Sequence, residues 1–261
     1  MKPMLMALLA PGLLAQSPIV ALGDSVTKGV RPDGSVRFGQ TFAALLAKRL
    51  KRPVINAGIG GNTSTQMLAR LQSDVLKYHP RAVVLMAGLN DAAYVDPGPV
   101  ARAEPRVPLD VFENNLAEIV RRSQAAKART IVLTPNPMTR RYRHAGLGFY
   151  RTSDMNDAVI LYAEAARRVA RLTHSCLVDV FAVYAADKEH REWLPDGVHP
   201  NARGHSLIAD QVVKECRTVL TAPPSPARPG AQRTKTTGTA AGSSRAPRQP
   251  PNAGSPSRPD R

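Results

Sequence analysis

The sequence lacks the features that several protein classes require. Only two of its 261 residues are cysteine, which excludes a disulfide-rich scaffold. No apolar run reaches the length of about 20 residues that a membrane-spanning helix needs, and neither a collagen-like nor a solenoid repeat is present. No HExxH or CxxC pattern indicates a zinc site. These absences leave a globular domain, which the length allows to bury a sizeable core.

The last forty residues, 222–261, lack every large apolar side chain. Nine prolines and four glycines make up about a third of this segment, a composition typical of disorder. It holds seven basic residues and one acidic residue, so it carries +6 of the total charge of +16. We predict a disordered basic tail that adds nothing to the core and associates weakly with anionic surfaces.

The first fifteen residues resemble a short secretory signal. Met1 and Lys2 precede a mostly apolar stretch that ends before Ala15. Pro11 and Gly12 interrupt that stretch. We predict cleavage after residue 15 and export to the periplasm or the medium; the alternative is a cytoplasmic protein that retains this segment.

Between these two segments, short β-rich runs alternate with stretches of helical period. The runs are residues 19–22, 54–57, 82–87, 130–134 and 176–181, and the helical stretches are 40–50, 64–78, 111–127, 154–172 and 202–220. This alternation predicts an α/β domain over residues 16–221, with helices on both faces of a parallel sheet. Right-handed crossovers favour a flavodoxin-like, three-layer arrangement of five strands in the order 2-1-3-4-5.

Two helix starts carry a capping-box pattern. Thr63 with Gln66, and Asp110 with Glu113, have the spacing that satisfies the free N–H groups of a first helical turn. We expect a helix to begin at each.

The two cysteines both fall toward the amino edge of the predicted sheet. Cys176 opens the fifth strand and Cys216 lies late in the last helix. Export would permit a disulfide, but the pattern leaves their lateral distance open, and free cysteine is a common core residue. We expect two buried free thiols.

Polar and glycine-rich clusters follow the predicted strands. Asp24 and Ser25 follow the first, residues 56–63 the second, and Asn90 the third, while residues 196–200 precede the last helix. Ligands of such sheets sit outside the carboxyl ends of the strands. We therefore expect the four clusters to meet at one edge.

These clusters contain the residue types that activate a serine as a nucleophile. A serine hydroxyl reacts poorly until a base takes its proton, and a neutral imidazole held by a carboxylate is the usual base. Ser25, His199 and Asp196 supply the three groups, and Asp196 is close enough in sequence to orient the histidine ring. A developing oxyanion also needs donors, for which Gly61 and Asn90 are placed.

Together, the four motifs resemble those of the SGNH, or GDSL, hydrolase superfamily, over residues 19–220. The resemblance places the family's four named residues on Ser25, Gly61, Asn90 and His199, with Asp196 as the third member of the triad. It implies an oxyanion hole made by the Ser25 and Gly61 N–H groups and the Asn90 side chain.

The resemblance also implies hydrolysis of carboxylic esters or thioesters through an acyl-serine, with no metal and no organic cofactor. The implied substrate is a small-molecule, lipid or carbohydrate ester. The bacterial lysophospholipase and thioesterase branch is the most similar, and a carbohydrate O-acetyl esterase with the same triad is the alternative.

A different function class is suggested by the charge. A net charge of +16 and the basic tail fit a binding protein for nucleic acid or anionic surfaces. However, the tail lacks aromatic residues that would stack on bases, and no core helix forms a concentrated basic face. We therefore predict an enzyme without a specific nucleic-acid partner.

Two connections at the carboxyl edge are long, residues 92–109 and 135–153. Such loops usually form the walls of a substrate pocket. The second contains Arg140, Arg141, Arg143 and Arg151, which fit either recognition of an anionic or polyhydroxylated substrate or a solvated surface. We expect the solvated surface, the ordinary place of charged loop residues.

Overall fold

The computed structural model describes residues 17–96 and 99–222. The predicted signal segment and the tail from residue 223 onward lie outside this range. Within it, no helix has both the length and the apolar character needed to cross a membrane.

Five parallel strands form one sheet in the order β2-β1-β3-β4-β5, which confirms the predicted fold. They are β1 (Ile19–Gly23), β2 (Val54–Gly58), β3 (Ala82–Met86), β4 (Arg129–Leu133) and β5 (Cys176–Val178). All residues of β1 and β3 are buried, as expected for central parallel strands covered on both faces.

Helices cover the sheet in two layers. They are α1 (Ser25–Lys28), α2 (Phe42–Leu50), α3 (Ser64–Ala69), α4 (Leu71–Asp74), α5 (Leu109–Ala125), α6 (Phe149–Thr152), α7 (Asp157–Leu172), α8 (Val180–Ala186), α9 (His190–Trp193) and α10 (Ala202–Thr221), with 3₁₀ turns at Phe38–Gln40 and Leu76–Tyr78. Helix α2 packs on α10, and α5 packs between α3 and α7. This arrangement is the predicted three-layer fold.

The strand register brings the carboxyl ends of the strands to one level. Gly23 pairs with Gly58 on one side and with Met86 on the other, and Met86 pairs with Leu133. Loops that follow these strands therefore leave the sheet at a common edge, as ligand sites of doubly wound sheets require.

One of the two predicted capping boxes is confirmed. Thr63 N donates to Gln66 Oε1 at 2.9 Å, and both halves of the box are present. The box predicted for Asp110 and Glu113 is wrong, because α5 begins at residue 109 after Pro108, and Glu113 instead pairs with Arg168. The residue before the helix is Pro108, whose side chain accepts no capping hydrogen bond, and Asp110 lies inside the first turn.

Two predicted elements are shorter than expected. The helical stretch 64–78 is divided into α3, α4 and a 3₁₀ turn. Strand β5 ends at residue 178, because the Asp179 carboxylate accepts a hydrogen bond from Ala182 N and caps α8. A capping residue inside an apolar run thus ends the strand.

The expectation of two free thiols is wrong, because Cys176 and Cys216 form a disulfide. The bond joins β5 to α10, with 5.9 Å between the two Cα atoms. Helix α10 packs along β5, which supplies the lateral proximity that the sequence pattern left open.

Candidate active site

Ser25 lies at the turn where β1 passes into α1. The Asp24 carboxylate caps this helix by accepting a hydrogen bond from Val26 N at 2.9 Å. The cap fixes the backbone on both sides of Ser25, so the serine hydroxyl has a defined position above the sheet edge.

Glycine is required where α1 crosses the strand ends. A Cβ atom at Gly58 would lie 2.2 Å from Lys28 N, and one at Gly23 would lie 2.8 Å from Met86 O. Both contacts involve backbone atoms that have no rotamer to change. Larger residues would therefore displace α1 and with it Ser25.

Ser25, His199 and Asp196 form one hydrogen-bonded series. Ser25 Oγ lies 2.9 Å from His199 Nε2, and His199 Nδ1 lies 2.6 Å from Asp196 Oδ2. A proton on Nδ1 satisfies the carboxylate and leaves Nε2 to accept the serine proton. This geometry can generate a serine nucleophile.

The Asp196 carboxylate is held ionised by its neighbours. Burial opposes ionisation, but the His199 ring and the backbone N–H groups of His199 and Val198 donate to the carboxylate, and together they lower the pKa of Asp196. An anion at this place favours a positively charged imidazole, which a base needs once it has taken a proton.

The turn that carries His199 is supported from two sides. Gly197, at a φ of +85°, accepts from Thr139 N at 2.9 Å, and a Cβ at this glycine would lie 2.3 Å from Tyr142 N. On the other side, the buried Trp193 accepts from Asn201 N through its carbonyl. The Trp193 ring packs edge-on against Tyr184, with 5.2 Å between the ring centroids, so this side of the turn rests on the core.

The Asn90 side chain is held at both ends of its amide. Its Nδ2 donates to Asp24 Oδ2 at 3.1 Å, and its Oδ1 accepts from Arg106 Nη1 at 3.3 Å. These partners set the orientation of the amide. The second N–H of the Asn90 side chain can therefore donate a hydrogen bond to an acceptor in the site.

Asp24 is almost fully buried between the nucleophile and this amide. Burial raises the pKa of Asp24 to about 6, against the opposing effects of the Val26 N–H group and His199. Above that pH the group is a carboxylate and accepts both hydrogen bonds. The family resemblance assigns no role to Asp24. Its position as the helix cap beside Ser25 indicates one.

The glycine-rich turn after β2 is fixed by Arg70. Its guanidinium donates to Gly23 O at 2.9 Å, to Ala57 O at 2.8 Å and to Asn62 Oδ1 at 2.7 Å. Gly61, at a φ of +76°, lies in this turn, and its carbonyl accepts from Arg106. Neither Arg70 nor Arg106 could be singled out from the sequence, because nothing in a helical or proline-rich stretch distinguishes one arginine from another.

A cavity of 530 Å³ opens in front of Ser25. All the residues predicted for the site line it: Ser25, Gly61, Asn90, Asp196 and His199. Its volume lies in the range of about 300–1,000 Å³ that is usual for small-molecule sites.

The loop 135–153 forms one wall of this cavity, as predicted. Arg141, Arg143 and the buried Tyr150 line it. Arg140 instead donates to the carbonyls of Tyr150 and Ser153 and braces the loop. All four arginines of this loop are exposed, as expected for a solvated surface, and Arg141 and Arg143 also border the cavity.

The part of the chain that the structure describes contains no evident metal-binding site. There, no group of three or more His, Cys, Asp or Glu side chains is arranged to hold an ion. The combination of hydroxyl, imidazole, carboxylate and amide donors is instead suited to acyl transfer.

A flavodoxin-like sheet with a hydrogen-bonded serine, histidine and aspartate at the carboxyl edge of its strands is the arrangement of a serine-type hydrolase. Residues 21–207 match the model of the GDSL-like lipase/acylhydrolase family. The chain belongs to this family and is a hydrolase of ester bonds.

Relatives with different substrates are about equally similar in sequence. An acetylxylan esterase of Geobacillus stearothermophilus is 27% identical over 76% of this chain and 92% of its own length. Thioesterase 1/protease 1/lysophospholipase L1 of Escherichia coli (strain K12) is 27% identical over 79% of this chain and 86% of its own. Identity alone therefore favours neither a carbohydrate nor a lipid ester.

One solved structure and one further relative are also similar. The crystal structure of a lipase/acylhydrolase from Enterococcus faecalis superposes with a TM-score of 0.63 at 24% identity, over 77% of this chain and 95% of that one. Lipoprotein YqeF of Bacillus subtilis (strain 168) is 34% identical over 46% of this chain and 49% of its own length.

Replacing Asn90 by alanine tests the oxyanion assignment. Loss of one preorganised donor is expected to lower kcat by about 10²–10³, with a smaller effect on KM, since the oxyanion forms only in the transition state. Steady-state kinetics on p-nitrophenyl esters measures both. An Asn114→Ala variant, on the outer face of α5 and away from the cavity, is the control; near-wild-type kcat in Asn90→Ala would remove Asn90 from the hole.

Proposed function

We propose that Ser25 attacks the carbonyl carbon of a carboxylic ester while His199 Nε2 takes the serine proton. Asp196 orients the imidazole and balances the charge that it gains. The resulting tetrahedral oxyanion is stabilised by the backbone N–H groups of Ser25 and Gly61 and by the Asn90 amide.

The intermediate then collapses to an acyl-serine. The bond to the alcohol oxygen breaks, and the alcohol leaves with the proton from His199. A water molecule attacks the acyl carbon, His199 takes the proton of that water, and Ser25 regains its proton as the carboxylic acid departs. No atom outside the protein, the ester and water is needed.

One observation carries this proposal. The 2.9 Å contact between Ser25 and His199 and the 2.6 Å contact between His199 and Asp196 form an unbroken series, and its serine end faces the 530 Å³ cavity. Nucleophile, base and orienting group therefore occur together where a substrate fits.

The acyl chain has an apolar wall to bind. Leu89, Ala93, Val95 and Met138 are buried and line the cavity. They lie in the segments that follow β3 and β4. We assign this wall to the acyl part of the ester, which fits an esterase for carboxylic esters with apolar acyl groups.

Acyl-chain length tests this assignment. Burial of a methylene contributes about 0.8 kcal/mol, or about fourfold, so kcat/KM for p-nitrophenyl butanoate, which has two more methylenes, is expected to exceed that for the acetate by about fifteenfold. Measurements with acetyl, butanoyl and octanoyl esters, beside an acetylated polysaccharide, cover both alternatives. A preference for acetyl groups that falls with every added methylene would contradict the assignment and favour the carbohydrate O-acetyl esterase.

We also propose that the hydrolase domain, residues 16–221, acts outside the cytoplasm. Disulfides persist in oxidising compartments, and this chain joins Cys176 to Cys216. The apolar segment before Ala15 resembles a secretory signal, and a relative over part of the chain is a lipoprotein.

Stability measurements test the disulfide on which this location depends. A bond that closes a loop of 40 residues stabilises the fold by roughly 2–4 kcal/mol. We expect the Cys176→Ala/Cys216→Ala variant to unfold at a lower urea concentration than the oxidised wild type. Wild type in dithiothreitol should move to the same midpoint. Two free thiols in the untreated protein, with no effect of the reductant, would contradict both the bond and the export argument.

A further inference from the structure

The cavity in front of Ser25 has an excess of positive charge. Arg31, Arg106, Arg141 and Arg143 line it. Arg141 is paired with Glu192 at 2.8 Å. Among residues 17–96 and 99–222, the ion pairs within 4.0 Å include none that involves the other three arginines.

The carboxylates on the cavity wall are already engaged. Asp96 pairs with Arg102 at 3.0 Å, and the Asp196 carboxylate contacts His199 Nδ1 at 2.6 Å. Neither therefore neutralises the cavity arginines. Four arginines against two carboxylates give the cavity wall a net positive charge, which the buried Asp91 offsets in part near Arg106. A positive potential raises the local concentration of an anion.

Arg143 is held in place by a neutral histidine. Its Nε donates to His144 Nε2 at 2.9 Å, which requires that ring nitrogen to be an acceptor. His144 is buried, and burial and the neighbouring Arg143 lower the pKa of His144. One nitrogen of the guanidinium is thus used for positioning, while its terminal NH₂ groups are available to a ligand.

Arg106 is held at the edge of the oxyanion donors. Its Nη1 donates to Gly61 O at 3.4 Å and to Asn90 Oδ1 at 3.3 Å. Arg106 and Arg143 both lie near Tyr142, which also lines the cavity: burial raises the pKa of Tyr142, these two cations oppose the rise, and the Asp196 carboxylate adds to it. Arg31, by contrast, is buried and donates to Pro200 O and Gln40 O, so we assign it to the framework.

We propose that the natural ester carries an anionic group, a carboxylate or a phosphate, which Arg143 and Arg106 bind beside the scissile bond. This inference rests on the proposed function of Ser25. Guanidinium groups match the oxygen geometry of both anions, and such charge-assisted hydrogen bonds are stronger than neutral ones. The apolar wall and the two arginines together select an ester with one apolar and one anionic part.

Matched pairs of esters test the proposal on either side of the scissile bond. For an anion on the alcohol side, m-acetoxybenzoate is compared with its neutral analogue m-acetoxybenzamide. For an anion on the acyl side, the p-nitrophenyl half-ester of succinic acid is compared with p-nitrophenyl pentanoate. The measured quantity is the ratio of kcat/KM for the anionic ester to that for the neutral one.

The variant is Arg143→Gln, because Arg106 also contacts Asn90. We expect the ratio for one pair to fall by about tenfold or more, as loss of a charged hydrogen bond implies. Arg143→Lys should retain part of the ratio. Arg151→Gln, an exposed arginine of the same loop that does not line the cavity, removes the same charge and should leave the ratio unchanged.

The outcomes distinguish a failure of this inference from a failure of the proposed function. Unchanged ratios for both pairs in Arg143→Gln, with neutral esters still hydrolysed through Ser25, would overturn the anionic site alone. An equal fall in Arg151→Gln would also overturn it, since the effect would then be one of net charge. Retained turnover in Ser25→Ala would instead overturn the proposed function. The pair whose ratio responds identifies the part of the ester that bears the anion.

Discussion

Replacing Ser25 by alanine is expected to lower kcat for p-nitrophenyl butanoate by roughly 10⁴–10⁶, the range found when the nucleophile of a serine hydrolase is removed. Without the hydroxyl no acyl-serine can form, and only binding and oxyanion stabilisation remain. The Ser25 side chain is small, and its hydroxyl contacts His199. Circular dichroism and the urea midpoint should therefore stay close to those of the wild type.

The matched control for this change is Ser206→Ala, which removes a serine on α10 that contacts Arg49 and not the cavity. Its turnover should equal that of the wild type. A folded Ser25→Ala protein with more than about a tenth of wild-type kcat would show that another group performs the attack.

The second large effect is expected for His199→Ala. Without the imidazole, the Ser25 proton has no acceptor, and Asp196 is left as a carboxylate without the ring that it orients. We expect kcat to fall by roughly 10⁴–10⁶ as well, because the members of such a triad act as one unit. The measurement is steady-state hydrolysis of the same ester, beside His190→Ala on α9, which lies outside the cavity.

A double variant sharpens this prediction. If Ser25 and His199 act in the same step, the Ser25→Ala/His199→Ala protein should be about as slow as either single variant. Losses that multiply would mean that the two residues act independently, which the proposed mechanism does not allow.

The fold could be predicted from the sequence because local pattern and topology agree. Apolar runs such as those around Val20 and Val84 have no polar face, so they predict buried parallel strands. Right-handed crossovers then restrict the strand order. The meeting of Ser25, Gly61 and Asn90 follows from that order, since each comes soon after the end of one of three adjacent strands.

Other contacts depend on distances that no local pattern records. The disulfide required the lateral spacing of α10 and β5, and free thiols were the wrong expectation for Cys176 and Cys216. Arg70 and Arg106 act through long side chains that reach from other elements to the glycine turn. At Asp110 a capping pattern did not mark the helix start, because α5 begins one residue earlier, at Leu109.

The buried Asp24 shows why a motif alone gives an incomplete account of the site. Its position beside the nucleophile is evident in the sequence, but its second hydrogen bond, to Asn90, requires β1 and β3 to be neighbours. The same carboxylate thus caps the helix that carries Ser25 and orients an amide donor. Such a shared contact becomes visible only in the assembled fold.

The most direct test of the central claim is covalent trapping of the nucleophile. A p-nitrophenyl alkylphosphonate ester resembles the tetrahedral intermediate and transfers its phosphonyl group to an activated serine. Intact-protein mass spectrometry should show the addition of one phosphonyl group as activity is lost, peptide mapping should place it on Ser25, and Ser25→Ala should stay unlabelled. A phosphonyl group on another residue, or hydrolysis that persists after Ser25 is fully labelled, would contradict the account.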